Sequence, residues 1–300
     1  MSEIIPFDER DGKIWFDGNL VPWRDAKIHV LTHGLHYADA VFEGIRAYNG
    51  RIFKLTEHSQ RLIKSAEILG FSIPYSLTEI NEATLQVMKT QTLQDCYIRP
   101  VAWRGSEMMG VSGQANKVHV AIAVWEWKSY FSPELKAKGI RLNMAKWRRP
   151  SPETAPTQSK ASGLYMIATM SKHDAEKQGY ADALMLDYRG YIAESTGANI
   201  FFRFGDDLHT PIADCFLDGI TRRTVIELAK KRGIKVIERY IKPEELEKAE
   251  EAFLTGTAAE VTPIGSIGSY RFTVGSLTHQ LMEDYNKLVR SIPSTVSTAA

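Results

Sequence analysis

The sequence has few of the features that would mark a protein for export, a membrane or a nucleic acid. No run of about 18 consecutive apolar residues occurs, so no segment is expected to span a membrane. Residues 1–10 contain no basic stretch followed by an apolar core, so no secretory signal is expected. The 37 lysines and arginines nearly balance the 36 aspartates and glutamates, and a formal net charge of +1 cannot hold a polyanion. We therefore expect small-molecule partners, and neither nucleic acid nor membrane.

Cysteine is scarce too, with only Cys96 and Cys215 in 300 residues and no CxxC pair. Two distant cysteines are typical of small buried thiols in a reducing cytoplasm rather than of a disulfide framework or a metal site. His33, His36 and Asp39 are spaced three apart, but no cysteine or further ligand accompanies them in a recognised metal-site pattern. We therefore expect a cytoplasmic protein without a bound metal.

What the sequence does have is the composition of a globular protein, with 44% hydrophobic and 24% charged residues. Its length is enough for one large domain or two ordinary ones. Asp-Gly at 17–18 and Asn-Gly at 49–50 lie between β-prone runs, which predicts two hairpins because both residue types tolerate positive φ. Apolar spacing and β-prone runs then predict two helices and two strands, over residues 56–69, 80–88, 97–103 and 118–124.

The pattern changes near residues 126–138, where charged residues, serines and a proline indicate a linker. Beyond it the predicted order is strand, loop, helix, hairpin, strand, helix and strand. The clearest of these elements cover residues 140–145, 164–178, 221–232 and 235–238. This shift predicts an α/β (α+β) fold of two domains, a smaller one over residues 1–125 and a larger one over residues 139–300.

Two charged residues stand out against small or apolar neighbours. Lys160 lies among small residues after a breaker-rich stretch, which leaves space for a bulky group on its amine. A single lysine of this kind could equally be a solvated surface charge. Glu194 lies at the end of a predicted strand, where a buried carboxylate is costly unless it is paired. Alone, it could equally be a glutamate at the rim in water.

Two further segments are suited to holding an anion. Thr221 follows Gly219 and Ile220 at the start of a predicted helix, where a good N-cap residue and free amides form an anion site or serve only as a cap. The small residues at 256–259 allow backbone amides to approach a ligand, although an ordinary tight turn has the same sequence. An amine, an isolated carboxylate and two amide-rich segments together suit a phosphorylated, ring-nitrogen cofactor held as a Schiff base.

Six longer motifs occur in an order that resembles a known family. The sequence resembles the fold-type IV pyridoxal-5′-phosphate (PLP) enzymes, which are the class IV aminotransferases, and within them the branched-chain amino acid aminotransferases. The resemblance extends over nearly the whole chain, from residues 29–37 to residues 256–259. Its motifs are VFEGIR (41–46), EHSQRL (57–62), YIRP (97–100), KASGLY (160–165), ESTGAN (194–199) and GIT (219–221).

The resemblance implies a fold and a set of cofactor contacts. It implies two α/β domains, with the larger C-terminal domain binding PLP and the cofactor lying in the cleft between the domains. Lys160 would carry the cofactor, Glu194 would pair with the protonated ring nitrogen, and Tyr165 would hydrogen-bond the ring hydroxylate. The phosphate would be held by Arg61, the amides of Ile220 and Thr221, and the region of Thr257.

The resemblance also implies the substrate contacts. The α-carboxylate would be bound by Tyr97 and the amides of Thr257 and Ala258. The apolar wall of the side-chain pocket would come from Phe42, Tyr37, Trp127, Tyr130 and Tyr165, and each of these aromatic residues could instead be plain core packing. The second carboxylate of glutamate would meet donors from Tyr37, Arg99 and Tyr130.

The activity implied is ping-pong transamination of leucine, isoleucine and valine with 2-oxoglutarate, so that the partners are small amino acids and 2-oxo acids. The segment 103–111 resembles a loop that in this family reaches a neighbouring subunit, which implies a homodimer or a multiple of dimers. Alternatives on the same fold are a D-amino-acid or amine transaminase and aminodeoxychorismate lyase, and a silent PLP-binding protein is a further one. Residues 97–99 together with 256–259 favour the branched-chain group.

Overall fold

The computed structural model describes residues 5–127 and 133–291. Its contacts divide the chain into two compact units, Met1–Lys128 with Ser159–Gly163 and Ser129–Gln158 with Leu164–Ala300. The short segment around Lys160 therefore belongs to the first unit although it lies far along the chain. The predicted domain limits at residues 125 and 139 stay a prediction.

The first unit is built on a seven-stranded antiparallel sheet in the order β2-β1-β7-β6-β4-β5, with β3 also paired to β6. Its elements, in chain order, are β1 (Lys13–Phe16), β2 (Asn19–Pro22), α1 (His33–Tyr37), β3 (Ala40–Phe42), β4 (Ile45–Tyr48), β5 (Arg51–Ile52), α2 (Leu55–Ile68), α3 (Leu77–Gln91), β6 (Cys96–Arg104) and β7 (Val118–Glu126). Asp17 and Asn49 have φ values of 45° and 50°, as the two predicted Asp-Gly and Asn-Gly hairpins require. Both hairpins are confirmed.

The strand β6 separates the core of this unit from its functional face. Its alternating side chains place Ile98 and Ala102 in the hydrophobic core beside Leu62 of α2 and Val87 of α3. Residues 97, 99, 101 and 103 therefore point to the opposite face of the sheet. The helix α3 begins with a capping box, in which Ser76 accepts from the amide of Glu79 and Glu79 accepts from the amide of Ser76.

The second unit is built on a nine-stranded mixed sheet in the order β10-β9-β8-β15-β14-β11-β12-β13, with β16 paired to β15. Its elements are α4 (Pro133–Lys138), β8 (Ile140–Met144), α5 (Met166–Lys177), β9 (Asp182–Leu186), β10 (Ile192–Ser195), β11 (Asn199–Phe204), β12 (Asp207–Pro211), α6 (Ile220–Lys231), β13 (Val236–Arg239), β14 (Glu251–Gly256), β15 (Glu260–Ile267), β16 (Tyr270–Arg271) and α7 (Ser276–Arg290). The core includes Ile140, Leu184, Ile200 and Leu254, one from each of four strands. The predicted α/β character is confirmed in both units.

Several elements were not anticipated from the sequence. The helix α7 packs on β14 and β15 through one buried face that includes Leu277, Leu281 and Tyr285. Residues 133–138, inside the predicted linker, form α4, and residues 128–132 lie outside the described residues. Cys96 and Cys215 are buried and free, and burial raises the pKa of each thiol to about 12. In the part of the chain that the structure describes, no helix is long and apolar enough to cross a membrane.

Candidate active site

Lys160 is fixed in place through its backbone. Its carbonyl accepts from the amide of Phe42 at 3.2 Å, and its own amide donates to Ser65 Oγ at 3.0 Å. The next residue, Ala161, bridges to Val41 of β3 in antiparallel fashion. This brings the partly buried Lys160 Nζ to 5.1 Å from the centre of the Phe42 ring. The small residues around Lys160 thus allow the segment to lie closely against β3 and α2, while the amine is held beside an aromatic ring.

A fully buried carboxylate lies in the same unit. Glu43 accepts from Arg61 through both oxygens, with Nε at 2.6 Å from Oε1 and Nη2 at 2.9 Å from Oε2. His58 Nδ1 lies 2.7 Å from Oε2, and the amide of Gly44 donates to the same oxygen at 3.2 Å. The side chain of Glu43 is 0% exposed and that of Arg61 is 14% exposed. We call Glu43, His58 and Arg61 the Glu43 cluster.

The charges in the Glu43 cluster are set by burial and by each other. Burial alone would raise the pKa of the Glu43 carboxyl, but the charge of Arg61 and the bonds from His58 and Arg61 hold it well below the ordinary 4.5. Burial lowers the pKa of His58 below the ordinary 6.5. The Glu43 carboxylate opposes this shift, and the positive charges of Arg61 and Lys160 add to it. At neutral pH the cluster therefore contains a carboxylate, a guanidinium and a neutral imidazole.

Of the three residues in the Glu43 cluster, only Arg61 was predicted from the sequence as a site residue. The signal was present, because His58 and Arg61 lie three residues apart and so share a face of α2. What the sequence alone does not show is that Glu43, 18 residues before Arg61, is buried against that face.

Four of the predicted substrate residues come together on the open face of β6. Arg99 Nη2 donates to the Tyr97 hydroxyl at 3.3 Å, and the guanidinium carbon of Arg99 lies 4.7 Å from the Phe42 ring centre. The rings of Tyr97 and Trp127 have centres 5.2 Å apart. The phenol of Tyr97 lies so close to Gly44 that a Cβ there would be 2.0 Å from the hydroxyl oxygen. Tyr97, Arg99, Phe42 and Trp127 thus form one mixed apolar and polar surface.

This surface borders a cavity of about 460 Å³ within the first unit, lined in part by Ile14, Phe16, Leu35, Arg99, Val101 and Trp103. Among the described residues, Arg99 Nε is buried and has no hydrogen-bond partner. Tyr37 is 43% exposed in α1 with its ring 4.6 Å from that of His33. The predicted pocket residue Tyr130 lies outside the described residues.

In the second unit, Glu194 lies on β10 with a side chain only 12% exposed. Arg149 Nε is 3.3 Å from Oε1, which is ion-pair distance without the alignment of a hydrogen bond. Asn199 Nδ2 donates to Oε2 at 3.4 Å, and Asn199 Oδ1 accepts from the amide of Gly219 at 3.2 Å. Asn199 therefore connects the predicted ring-nitrogen partner to the start of α6. Arg149 was not identified as a site residue from the sequence.

The predicted anion-binding segments occur as a helix start and a turn. The sequence suggested Thr221 as the N-cap of α6, but the N-cap is Gly219. A Cβ at Gly219 would lie 2.2 Å from Asn199 Oδ1, so a larger residue does not fit there. Ile220 and Thr221 are the first two residues of the helix, where amides lack an intrahelical acceptor. Thr257 and Ala258 form the partly buried turn between β14 and β15.

Tyr165 is the N-cap residue of α5 and is partly buried. The neighbouring Leu164 carbonyl accepts from Arg149 Nη1 at 3.3 Å, so the residue that pairs with Glu194 also holds the chain next to Tyr165. Among residues 5–127 and 133–291, no group of three histidines, cysteines or acidic residues is placed to hold a metal ion.

The family model for amino-transferase class IV matches residues 40–267. The chain therefore belongs to the class IV aminotransferases, and the predicted class of enzyme is confirmed. Within this class it is similar to a probable branched-chain-amino-acid aminotransferase of Rickettsia felis, with 46% identity over 96% of this chain and 99% of that protein. It is also 43% identical to the branched-chain-amino-acid aminotransferase of Pseudomonas aeruginosa, over 94% of each chain.

Solved structures agree with this assignment and with the predicted fold-type IV architecture. The Escherichia coli branched-chain amino acid aminotransferase superposes with a TM-score of 0.91 at 36% identity, covering 96% of this chain and 98% of that one. The branched-chain amino acid aminotransferase of Thermobaculum terrenum in its PLP form gives a TM-score of 0.86 at 30% identity, covering 93% and 94%. The family resemblance seen in the sequence motifs is confirmed.

Proposed function

We propose that this protein transfers the amino group between leucine, isoleucine or valine and 2-oxoglutarate, with PLP as its cofactor. The observation that carries the proposal is Lys160, whose amine is held at 5.1 Å from Phe42 by backbone bonds to β3 and α2. Tyr97 and Arg99, the predicted carboxylate ligands, contact each other on the same unit, and Arg99 contacts Phe42. The similarity to branched-chain aminotransferases over nearly the full length supports the choice of substrate.

The residues present fit the chemistry of such a cofactor. When bound, PLP supplies an aldehyde that bonds to an amine and a ring that withdraws electrons from the substrate. The Lys160 amine would hold the aldehyde, and the Glu194 carboxylate would keep the ring nitrogen protonated. Tyr165 would donate to the ring oxygen. The phosphate would be bound by Arg61, the first-turn amides of Ile220 and Thr221, and Thr257, since amides at a helix start attract anions.

The proton at the substrate Cα is the second task of Lys160. Once its amine is released by the incoming amino acid, Nζ would take this proton and later return one. Because the product of the first half-reaction must leave before 2-oxoglutarate enters, we expect ping-pong kinetics.

One substrate pocket has to accept two kinds of side chain. We assign the α-carboxylate to Tyr97 with the amides of Thr257 and Ala258, because every substrate has this group. The aliphatic chain of leucine would pack on the aromatic residues Phe42, Trp127, Tyr37, Tyr130 and Tyr165. The second carboxylate of glutamate would be bound by Arg99, with Tyr37 and Tyr130. The buried Arg99 Nε has no hydrogen-bond partner within residues 5–127 and 133–291, which supports this role because such a donor is costly unless a ligand supplies the acceptor.

We also infer a homodimer or a multiple of dimers in the cytoplasm. Support for self-association comes from exposed apolar side chains of the first unit, where Val111 is 86%, Val30 70% and Leu35 61% exposed. Support for a reducing compartment comes from the free thiols of Cys96 and Cys215.

Borohydride trapping tests the assignment of Lys160. Reduction of the PLP-loaded protein should fix the cofactor to a single peptide that contains Lys160. Lys160→Ala should take no label and lose turnover, whereas Lys64→Ala, at a side chain 69% exposed on α2, should behave as wild type. A label on any other lysine would refute the proposal.

A further inference from the structure

The Glu43 cluster contains more buried charge than the proposed phosphate contact of Arg61 requires. Burying a carboxylate is expensive, and a well-packed apolar residue would usually serve the fold as well or better. Glu43 is nevertheless 0% exposed, and its carboxylate accepts from the Arg61 guanidinium, the His58 ring and the neighbouring amide of Gly44. A buried carboxylate with so many hydrogen bonds indicates that Glu43 has a function besides stabilising the fold.

The geometry of the pair indicates what that function is. A guanidinium is planar and carries five N–H donors in a rigid fork. Glu43 accepts one donor from Nε and one from Nη2, at 2.6 and 2.9 Å, and a two-point contact fixes the plane of the group. Once the plane is fixed, the directions of the other donors are fixed as well.

His58 fixes the carboxylate in turn. Its ring is 2% exposed, and its Nδ1 lies 2.7 Å from Glu43 Oε2. Since His58 is neutral, its Nδ1–H can donate to Glu43 without adding a second positive charge beside Arg61. The carboxylate is therefore held by the Gly44 amide and by two side chains of α2, and these bonds oppose its rotation away from Arg61.

We propose that Glu43 is a positioning residue, which orients Arg61 through this two-point contact so that Arg61 can bind the phosphate of the cofactor. This inference rests on the proposed function. Glu43 acts through Arg61, and a negative charge near a phosphate is repulsive. Any gain in phosphate binding from Glu43 therefore has to come from the orientation of Arg61. The charge of Glu43 would weaken phosphate binding and its contact with Arg61 would strengthen it, so the two effects can be told apart.

The test compares PLP with pyridoxal, which lacks only the phosphate. The affinity of the full-length apoprotein for each compound is measured by absorbance titration, and the ratio of the two dissociation constants reports the phosphate contacts alone. A variant that merely loosens the fold weakens both ligands together and leaves the ratio unchanged.

The variants separate orientation from charge. Glu43→Asp keeps the charge but withdraws the carboxylate by one methylene. Glu43→Gln keeps the size but has one acceptor oxygen for the two Arg61 donors. We expect each to lower the preference for PLP roughly tenfold, as loss of a charge-assisted contact would. Glu43→Asp leaves a small cavity and Glu43→Gln does not. If Glu43→Asp fails to fold, the ratio of dissociation constants can therefore still be measured with Glu43→Gln.

A double-mutant cycle provides the control. Arg61→Met removes the guanidinium. The double variant, Glu43→Gln with Arg61→Met, removes both charges, so neither is left buried without its partner. If Glu43 acts through Arg61, adding Glu43→Gln to Arg61→Met should lower the preference for PLP no further, and relief of the repulsion between Glu43 and the phosphate can only raise it. A wild-type ratio in Glu43→Asp and Glu43→Gln, or a raised preference for PLP in Glu43→Gln, would overturn the inference. If wild type itself did not prefer PLP to pyridoxal, the proposed function would fail first.

Discussion

Arg99 contacts the hydroxyl of a tyrosine and the ring of a phenylalanine at once. Its Nη2 donates to Tyr97 at 3.3 Å, its guanidinium carbon lies 4.7 Å from the Phe42 ring centre, and its Nε is buried without a partner among the described residues. A side chain held in this way is ready to receive a carboxylate. Leucine has no carboxylate in its side chain, and glutamate does.

Arg99→Leu should therefore damage one half-reaction only. Loss of the partner for the second carboxylate should cost about 3 kcal/mol, or roughly a hundredfold, in the single-turnover k/K for 2-oxoglutarate. The k/K for leucine with the PLP form should change much less. Arg141→Leu in the second unit, where the arginine stacks on Tyr180, is the control and should change neither. Equal losses in both half-reactions would contradict the assignment of Arg99.

Glu194→Gln should slow the chemistry more than it weakens cofactor binding. A neighbouring carboxylate shifts the pKa of a cationic group by about 1–3 units, so the ring nitrogen should lose its proton in the variant and proton abstraction should slow roughly tenfold or more. The measurement is the single-turnover rate with leucine beside the PLP dissociation constant. Glu176→Gln, at a side chain 54% exposed on α5, is the matched control. A wild-type rate in Glu194→Gln would show that Glu194 has another role.

At the scale of single residues, the sequence was sufficient to predict a site residue that lies in a recognisable motif. It was insufficient for a residue whose role depends on being buried beside an opposite charge. Lys160, Tyr97 and Arg99 lie in recognisable motifs, and the assignment of their roles stays a prediction that the proposed experiments test. Glu43 and Arg149 were not identified, because an acidic or basic residue in a sequence gives no sign that it is buried against an opposite charge.

Among the elements, the approach of β6 to the turn before β4 depends on a single glycine. A Cβ on Gly44 would lie 2.0 Å from the Tyr97 hydroxyl oxygen and 3.0 Å from its ring carbon, so the phenol would have to move. The strands themselves are paired elsewhere, from Ile45 opposite Ile98 onward, and should persist.

Gly44→Ala should therefore weaken the binding of the α-carboxylate by Tyr97, and both leucine and 2-oxoglutarate have this carboxylate. We expect KM to rise for both substrates while PLP affinity stays near wild type. Tyr97→Phe removes the clashing oxygen, so Gly44→Ala should cost less in that background than alone. If Gly44→Ala changed neither KM, the close packing of Tyr97 on Gly44 would not matter for binding.

The elements that could be predicted from the sequence were those specified by their own residues, through turn dipeptides or regular apolar spacing. Asp-Gly and Asn-Gly at 17–18 and 49–50 specify their turns alone, and helices α2 and α3 show apolar spacing over three or more turns. The N-cap of α6 was misplaced by two residues, because the cap is Gly219, whose amide donates to Asn199 of β11, 20 residues earlier in the chain. The return of residues 159–163 to the first unit is a tertiary pairing with Val41, which has no local signature.

At the scale of the whole molecule, the first unit exposes several large apolar side chains to solvent, which is unfavourable in water. The loop after β6 is held by side chains of β6 and α1, since Arg104 Nη1 donates to the Gly113 carbonyl at 2.7 Å and His33 Nε2 lies 3.1 Å from the Gly110 carbonyl. Val111, in this loop, is 86% exposed. A loop that is held at two carbonyls and presents an exposed apolar side chain fits an interface with a second copy of the chain.

Leu35→Asp should weaken self-association, because it places a charge among the exposed apolar side chains of the first unit. Sedimentation velocity over a concentration series should show wild type as a dimer or larger, and the variant with a dissociation constant raised roughly tenfold or more. Leu85→Asp is the control, since Leu85 is 49% exposed on α3 while Leu35 is 61% exposed on α1. Monomeric wild type, or equal effects of both variants, would contradict the proposed interface.

In the proposed reaction, one protein carries the amino group from a branched-chain amino acid to 2-oxoglutarate in two separate steps. The most direct test mixes PLP-loaded protein with L-leucine alone and follows the cofactor's absorbance. We predict that the spectrum changes to that of the aminated cofactor with one equivalent of 2-oxo acid released per site. Adding 2-oxoglutarate should then restore the first spectrum and yield one equivalent of glutamate. A spectrum that does not respond to L-leucine, or that responds to D-amino acids instead, would contradict the account.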